Sequence, residues 1–101
     1  MSPAIDIPKA RIAAFCARNR IRRLALFGSV LRPDFTADSD IDVLLEFEPD
    51  TPMGYLGLAR LQRELSELLG GRKVDVKTPP ALSRYFRDKV LSTSYVVYGP
   101  S

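Results

Sequence analysis

Apolar residues recur at helical spacing in two stretches of the chain. In residues 8–19, Phe15 and Cys16 lie about one helical turn after Ile12. Residues 55–69 contain a longer leucine-rich stripe. The Gly70-Gly71 pair then predicts the end of the second helix, as glycine does at helix C-termini. We expect a further helix over about 82–91, after a proline turn.

A different apolar pattern predicts the strands. Compact apolar runs at 23–27 and 41–47 are typical of buried strands, and residues 73–77 alternate between polar and apolar. Residues 95–98 are a candidate short edge strand.

The resulting order is helix, strand, strand, helix, strand, helix, which predicts an α/β domain with a small mixed β-sheet flanked by helices. The first two strands are close in sequence and are expected to pair antiparallel. The long helix between the second and third strands allows a parallel crossover.

Composition narrows the chemistry that this domain could perform. The 101 residues fit one domain spanning 1–101, with 46% apolar residues and a net charge of +3. There is no histidine and one cysteine, Cys16, which excludes serine–histidine and cysteine–histidine catalysis and a structural zinc site. The single cysteine, interpreted as a buried filler, and the lack of a signal sequence or apolar membrane span favour a cytoplasmic protein.

Basic residues cluster at Arg18, Arg20, Arg22 and Arg23. They could attract a nucleotide or an acidic partner. We interpret them instead as a solvated helix end, because the cluster is short and no aromatic residues interleave it. We therefore expect neither a nucleic-acid partner nor a membrane partner.

Acidic residues and a glycine turn are predicted to meet at one end of the sheet. Gly28-Ser29 directly follows the first strand, Asp40 and Asp42 stand at the start of the second, and Asp75 lies in the third. Residues two apart on a strand face the same side, so Asp40 and Asp42 share a face. Antiparallel pairing would bring the turn beside them, and a parallel third strand would add Asp75.

Three close carboxylates repel one another unless a cation lies between them, and oxygen ligands favour Mg²⁺. Two such ions are the recurring arrangement for nucleotidyl transfer. Gly28 would let the backbone approach phosphate, Ser29 offers an N–H and a hydroxyl, and Arg32 is a candidate phosphate contact. Taken singly, each feature is also compatible with an ordinary turn or a solvated strand end.

The order and spacing of these residues resemble a known family. The chain contains a pattern similar to the signature of the DNA polymerase beta-like nucleotidyltransferase superfamily. The pattern is Leu26-Phe27-Gly28-Ser29, a gap of ten residues, and then Asp40-Ile41-Asp42. The chain resembles more closely the minimal nucleotidyltransferase (MNT) family, the antitoxin half of HEPN–MNT toxin–antitoxin pairs. The resemblance extends over residues 8–98. Many relatives have Ala-Arg-Gly where this chain has Leu31-Arg32-Pro33.

This resemblance implies a nucleotidyltransferase fold and roles for individual residues. Asp40 and Asp42 would bind both metal ions, Asp75 would complete the catalytic metal site, and Gly28 and Ser29 would hold the triphosphate. ATP would be the donor, and AMP would be transferred to a tyrosine of a HEPN toxin.

Two other functions stay open from the sequence. The domain could neutralise a HEPN toxin by contact alone. The candidate contact surfaces are Met53, Tyr55 and Leu56, and residues 95–98, although ordinary packing also explains those residues. It could instead transfer nucleotides to a small molecule. Homo-oligomerisation is also left open.

Overall fold

The computed structural model describes residues 5, 7–31, 36, 39–51, 55–78, 88 and 92–99, and for Ser29 and Tyr55 it describes the backbone only. Two helices and four strands lie within these residues. In chain order they are α1 (Lys9–Arg18), β1 (Ile21–Phe27), β2 (Ile41–Phe47), α2 (Tyr55–Leu68), β3 (Val74–Lys77) and β4 (Tyr95–Tyr98). A 3₁₀ turn, Gly28–Leu31, follows β1 directly.

The strands form one mixed sheet in the order β3-β2-β1-β4. β1 pairs antiparallel with both β2 and β4, whereas β2 and β3 are parallel. The β2–β3 crossover runs through α2, which the sheet geometry requires because parallel neighbours cannot be joined by a tight turn. The predicted α/β fold and its strand directions are confirmed.

Alternate residues of β2 and β3, together with Ile21, Leu24 and Leu26 of β1, face α1 and α2, and this helix-covered face forms the main core. In β2 these residues are Ile41, Val43 and Leu45, each completely buried. They pack in one cluster with Leu61 and Leu65 of α2, and with buried residues of α1, β1 and β3. Burial of this apolar surface is the main favourable contribution to folding.

The opposite face of the sheet combines a small apolar cluster with charged residues. Ala25, Phe27 and Leu44 are buried there, with Val96 packed against them. Arg23 and Glu46, which are paired in register across β1 and β2, form an ion pair on this face. Among the described residues, no helix side chain belongs to this cluster. We call this surface the open face, a name that refers only to the described residues, because Ala25, Phe27 and Leu44 are themselves buried.

Most element boundaries agree with the sequence predictions to within one residue. The main difference is β1, which begins at Ile21, two residues before the predicted start, because Ile21 is buried and pairs with Phe47 across the sheet. The helix predicted over 82–91 lies outside the described residues except for Asp88, which is helical.

Cys16 lies in the core as a small apolar filler, as predicted. Burial raises the pKa of its thiol to about 12, so the thiol is protonated at neutral pH and is a poor nucleophile. In the basic cluster, Arg18 forms an exposed ion pair with Glu64, with the atoms 3.2 Å apart, which agrees with a solvated helix end. Within the described part of the chain, no helix is long and apolar enough to cross a membrane.

Candidate functional site

The turn after β1 brings the backbone of Gly28 against the carboxylate of Asp42. Phe27 and Asp42 are register partners, so the turn begins beside the first residues of β2. Gly28 has φ +75°, a conformation that favours glycine. A Cβ at this position would lie 3.2 Å from Asp42 Cγ and would overlap the carboxylate oxygen Oδ2. Glycine is therefore required here both for the turn and for the space that Asp42 occupies.

Asp75 is the register partner of Asp42 on the neighbouring parallel strand. Adjacent strands are about 4.8 Å apart, and register partners project to the same side. Both residues belong to the open face, since Ile41, Val43 and Val74 face the helices. The register of the strands therefore places Asp42 beside both Asp75 and the glycine turn, as the strand directions predicted.

Asp40 lies one residue before β2 begins and is exposed. Together with Asp75 it borders a shallow cleft of about 460 Å³ beside α2. The cleft is also lined by Arg63 and Lys73, two cations beside the two acidic residues. Asp40 thus lies near Asp75, but outside the regular β2–β3 register that pairs Asp42 with Asp75.

The donor set of this region suits a hard divalent cation, because every candidate ligand is a carboxylate oxygen. Within residues that the structure describes, no three acidic, cysteine or histidine side chains are grouped closely enough to hold a metal ion. The part of the predicted site that the register assembles is therefore the Asp42–Asp75 pair beside Gly28. Asp40 would complete it only with its carboxylate turned towards that pair.

Two predicted phosphate-binding groups fall beyond what the structure describes. Arg32 lies outside the described residues, and for Ser29 only the backbone is described, as the second residue of the 3₁₀ turn. The position of Ser29 directly after Gly28 keeps its N–H close to the start of the turn. The phosphate-binding roles of both residues stay predictions.

Lys77 was not singled out from the sequence, although the alternation of β3 places it on the same side as Asp75. Its Nζ lies 3.4 Å from Asp75 Oδ2, so the ammonium group pairs with the candidate metal ligand. The spacing of two residues along a strand was the signal that could have identified it.

Comparison with known families identifies the class of protein that has this fold and this arrangement of residues. The model of the nucleotidyltransferase domain family matches residues 10–98, and the chain belongs to this family of transferases. A candidate protein adenylyltransferase of Methanocaldococcus jannaschii is 34% identical over 84 residues, which cover 83% of this chain and 87% of that protein.

Solved structures agree with this assignment. A structure described as a minimal nucleotidyltransferase has 35% identity and a TM-score of 0.70, with 85% of each chain covered. A toxin–antitoxin structure with AMP-PNP gives a TM-score of 0.74 at 18% identity, covering 94% of this chain and 76% of that one.

A third solved structure contains a tri-AMPylated Shewanella oneidensis HEPN toxin with its MNT antitoxin. It gives a TM-score of 0.61 at 20% identity, covering 91% of this chain and 70% of that one. At this level of identity, the two toxin–antitoxin structures show the fold alone.

Proposed function

We propose that this protein is a metal-dependent adenylyltransferase that moves AMP from ATP to a tyrosine of a HEPN-type toxin and so acts as its antitoxin. The observation that carries the proposal is the register of the sheet. It sets Asp42 opposite Asp75 on one side and beside the Gly28 turn on the other. Family membership supports nucleotidyl transfer as the reaction.

The side chains of this site have separate tasks in the proposed reaction. Asp42 and Asp75, with Asp40, would hold divalent magnesium, which would supply positive charge to the triphosphate. Gly28 leaves room for the Asp42 carboxylate and would let phosphate approach the backbone of the turn, where Ser29 would donate its N–H. Such a reaction depends on alignment and charge stabilisation, so a histidine base is not required.

The protein acceptor is supported by the relatives. The M. jannaschii relative carries the name of a candidate protein adenylyltransferase, and the S. oneidensis structure contains an AMPylated HEPN toxin beside an MNT antitoxin. By analogy, ATP would be the donor, as the AMP-PNP in another toxin–antitoxin structure suggests. We also infer that the chain works as one domain in the cytoplasm.

Neutralisation by contact alone is the second candidate function. Leu56, in the first turn of α2, is 89% exposed, and among the described residues it is the large apolar side chain most available to a partner. A large apolar side chain in water is a common anchor at protein interfaces. Contact and catalysis could also coexist, because Leu56 lies outside the Asp42–Asp75 pair.

A transfer assay separates these functions. We would incubate the protein with ATP labelled in its α-phosphate, Mg²⁺ and a HEPN protein encoded beside it, and then locate the label by mass spectrometry. We expect label on a tyrosine of the partner, and its loss with Asp42→Asn. The matched control is Asp50→Asn, an exposed aspartate with φ +61°, a conformation that asparagine also tolerates.

Each outcome selects one function. Label that persists in Asp42→Asn contradicts the proposed site. An unlabelled but fully neutralised partner would select contact alone, and in that case Leu56→Ser should weaken the complex. Label on a small molecule in a cell extract, with none on the partner, would select a small-molecule transferase.

A further inference from the structure

A cleft of about 460 Å³ lies between α2 and the start of β3, beside the candidate site. Asp40 and Asp75 line this cleft, and so do two cations, Arg63 of α2 and Lys73, which directly precedes β3. The Lys73 carbonyl oxygen accepts a hydrogen bond from the Ile41 N–H at 2.8 Å, which holds the Lys73 backbone next to the start of β2. Two cations therefore share a cleft with two candidate metal ligands.

Solubility is the ordinary explanation for exposed cations such as Arg63 and Lys73. It accounts for a charge anywhere on the surface and does not depend on what lies nearby. The place of this cleft relative to the Gly28 turn gives the two cations a more specific explanation.

The cleft and the Gly28 turn lie on opposite sides of Asp42. In the sheet, β1, which leads into the turn, is one neighbour of β2, and β3 is the other. In AMP transfer the acceptor oxygen bonds to the α-phosphorus and loses its proton to solvent, while the bond to pyrophosphate breaks on the opposite side. With the triphosphate at the turn, the acceptor therefore enters from the β3 side, where the cleft lies.

The surface around the cleft continues along one side of α2. Leu56, Ala59 and Arg63 are three and four residues apart, so they share a side of the helix, with about 10 Å between the first and the last. Ala59 lines the cleft with Arg63, and Leu56 is 89% exposed. We call Leu56, Ala59, Arg63 and Lys73 the acceptor face. It combines an exposed apolar side chain with two cations, as protein interfaces do.

We propose that the acceptor face binds the partner protein, and that Arg63 and Lys73 pair with acidic side chains next to its acceptor hydroxyl. This inference rests on the proposed function, which assigns Asp40 and Asp75 to the metal. Arg63 and Lys73 are then the remaining charges of the cleft, so they favour an acidic acceptor segment over a basic one. Leu56 adds an apolar contact away from the reacting atoms.

The test measures AMP transfer against the concentration of the HEPN protein encoded beside this one, and separately the affinity for that partner without ATP by calorimetry. In Arg63→Gln and in Lys73→Gln, KM for the partner should rise about two- to fivefold, the effect of losing an exposed ion pair. The partner should also bind more weakly without ATP. KM for ATP and kcat at saturating partner should stay unchanged, because the lost contact is made equally before and during transfer.

Charge reversal tests the acidic character of the acceptor segment. Arg63→Glu should raise KM for the partner more than Arg63→Gln does, because it adds repulsion to the lost attraction. Added NaCl should weaken partner binding more in the original protein than in Arg63→Gln, since salt screens exposed charges. Equal effects of Gln and Glu at this position would overturn the proposed acidic contact.

Arg11→Gln is the matched control, because it removes the same charge from an exposed residue of α1 that lines a different groove. It should leave KM for the partner unchanged. An equal rise in Arg11→Gln would show that net charge alone sets the affinity, and would overturn the proposal. So would unchanged partner binding in both cleft variants, or a parallel rise in KM for ATP, which would assign the cations to the nucleotide.

Asp42→Asn distinguishes the two levels of inference. If the original protein labels the partner, Asp42→Asn abolishes the label and the cleft variants have no effect, only the acceptor face fails. If the original protein leaves the partner unlabelled, the proposed function fails. In that case, unchanged partner affinity in Arg63→Gln overturns the acceptor face as well, and weaker binding supports it as a docking surface alone.

Discussion

The two faces of the sheet contrast sharply in what their side chains do. On the helix-covered face, Ile41, Val43 and Leu45 are completely buried among apolar residues of α1 and α2. On the open face, the intervening residues of the same strand are Asp42, Leu44 and Glu46, of which only Leu44 is buried. One strand of seven residues thus contributes both to the core and to the candidate site.

This difference shows how so small a domain can combine a core with an acidic site. Successive residues of a strand point to opposite faces of the sheet. Apolar residues that are buried on one face therefore fix the positions of the carboxylates on the other face. The aspartates lie at the starts of β2 and β3, where parallel pairing brings them together. Changes on the helix-covered face should therefore affect stability, and changes at the aspartate end of the open face should affect chemistry.

Truncation of Leu65 on the helix-covered face should have the largest effect on stability. Leu65 is completely buried in α2, so Leu65→Ala should lower the free energy of unfolding by about 2–5 kcal/mol. Urea titration measures this loss, and the transfer rate per folded molecule should stay close to that of the original protein. Leu56→Ala, the same change at an exposed position of the same helix, should shift stability by only about 0.5 kcal/mol.

If Leu65→Ala instead abolished transfer while the protein was still folded, the separation between the faces would be wrong. The same conclusion would follow if Leu56→Ala destabilised the fold as much as Leu65→Ala.

An added methyl group at Gly28 should have the next largest effect. It should lower the rate of nucleotidyl transfer more than it lowers stability. Gly28→Ala would strain a residue at φ +75° and displace the Asp42 carboxylate. We expect transfer to fall by about 100-fold, the scale of losing one charge-stabilising group. The backbone strain itself should cost about 1–2 kcal/mol of stability.

Gly70→Ala provides the matched control, because Gly70 has φ +82° and a Cβ there would meet no atom within 4 Å. It should cause similar strain with little effect on transfer. Equal losses of transfer in both variants would mean that backbone strain, and not the displaced carboxylate, explains the result.

Two ion pairs that do not involve the aspartates should show smaller effects on stability than the truncation of Leu65. Arg23 and Glu46 on the open face meet through atoms shielded from solvent, so Glu46→Gln should cost about 1–3 kcal/mol of stability. Arg18 and Glu64 are exposed, and Glu64→Gln should cost only about 0.2–1 kcal/mol. Thermal unfolding of both variants measures the difference, and a larger loss for Glu64→Gln would contradict this ranking.

Much of the fold could be predicted from the sequence, because its elements have strong periodicity. β2 agrees with its predicted range of 41–47, and α2 ends one residue before its predicted end. The start of β1 was missed because Arg22, which is exposed, interrupts the apolar pattern after Ile21. The structure shows that Ile21 takes part in the sheet through its register pairing with Phe47.

The candidate site was less completely predictable. Strand direction and alternation were sufficient to bring Asp42, Asp75 and Gly28 together. The sequence pattern treated Asp40 as equivalent to Asp42, whereas Asp40 lies just outside β2 beside the cleft. Periodicity places Lys77 on the same side of β3 as Asp75, but the ion pair between them depends on the conformations of both side chains, which periodicity does not determine.

The most direct test of the central claim is a crystal structure with Mn²⁺ and a non-hydrolysable ATP analogue, in which anomalous scattering locates the metal. We expect Mn²⁺ to be bound by the carboxylates of Asp42 and Asp75, with the triphosphate against the Gly28 turn. Mn²⁺ bound elsewhere, or a nucleotide far from that turn, would contradict it.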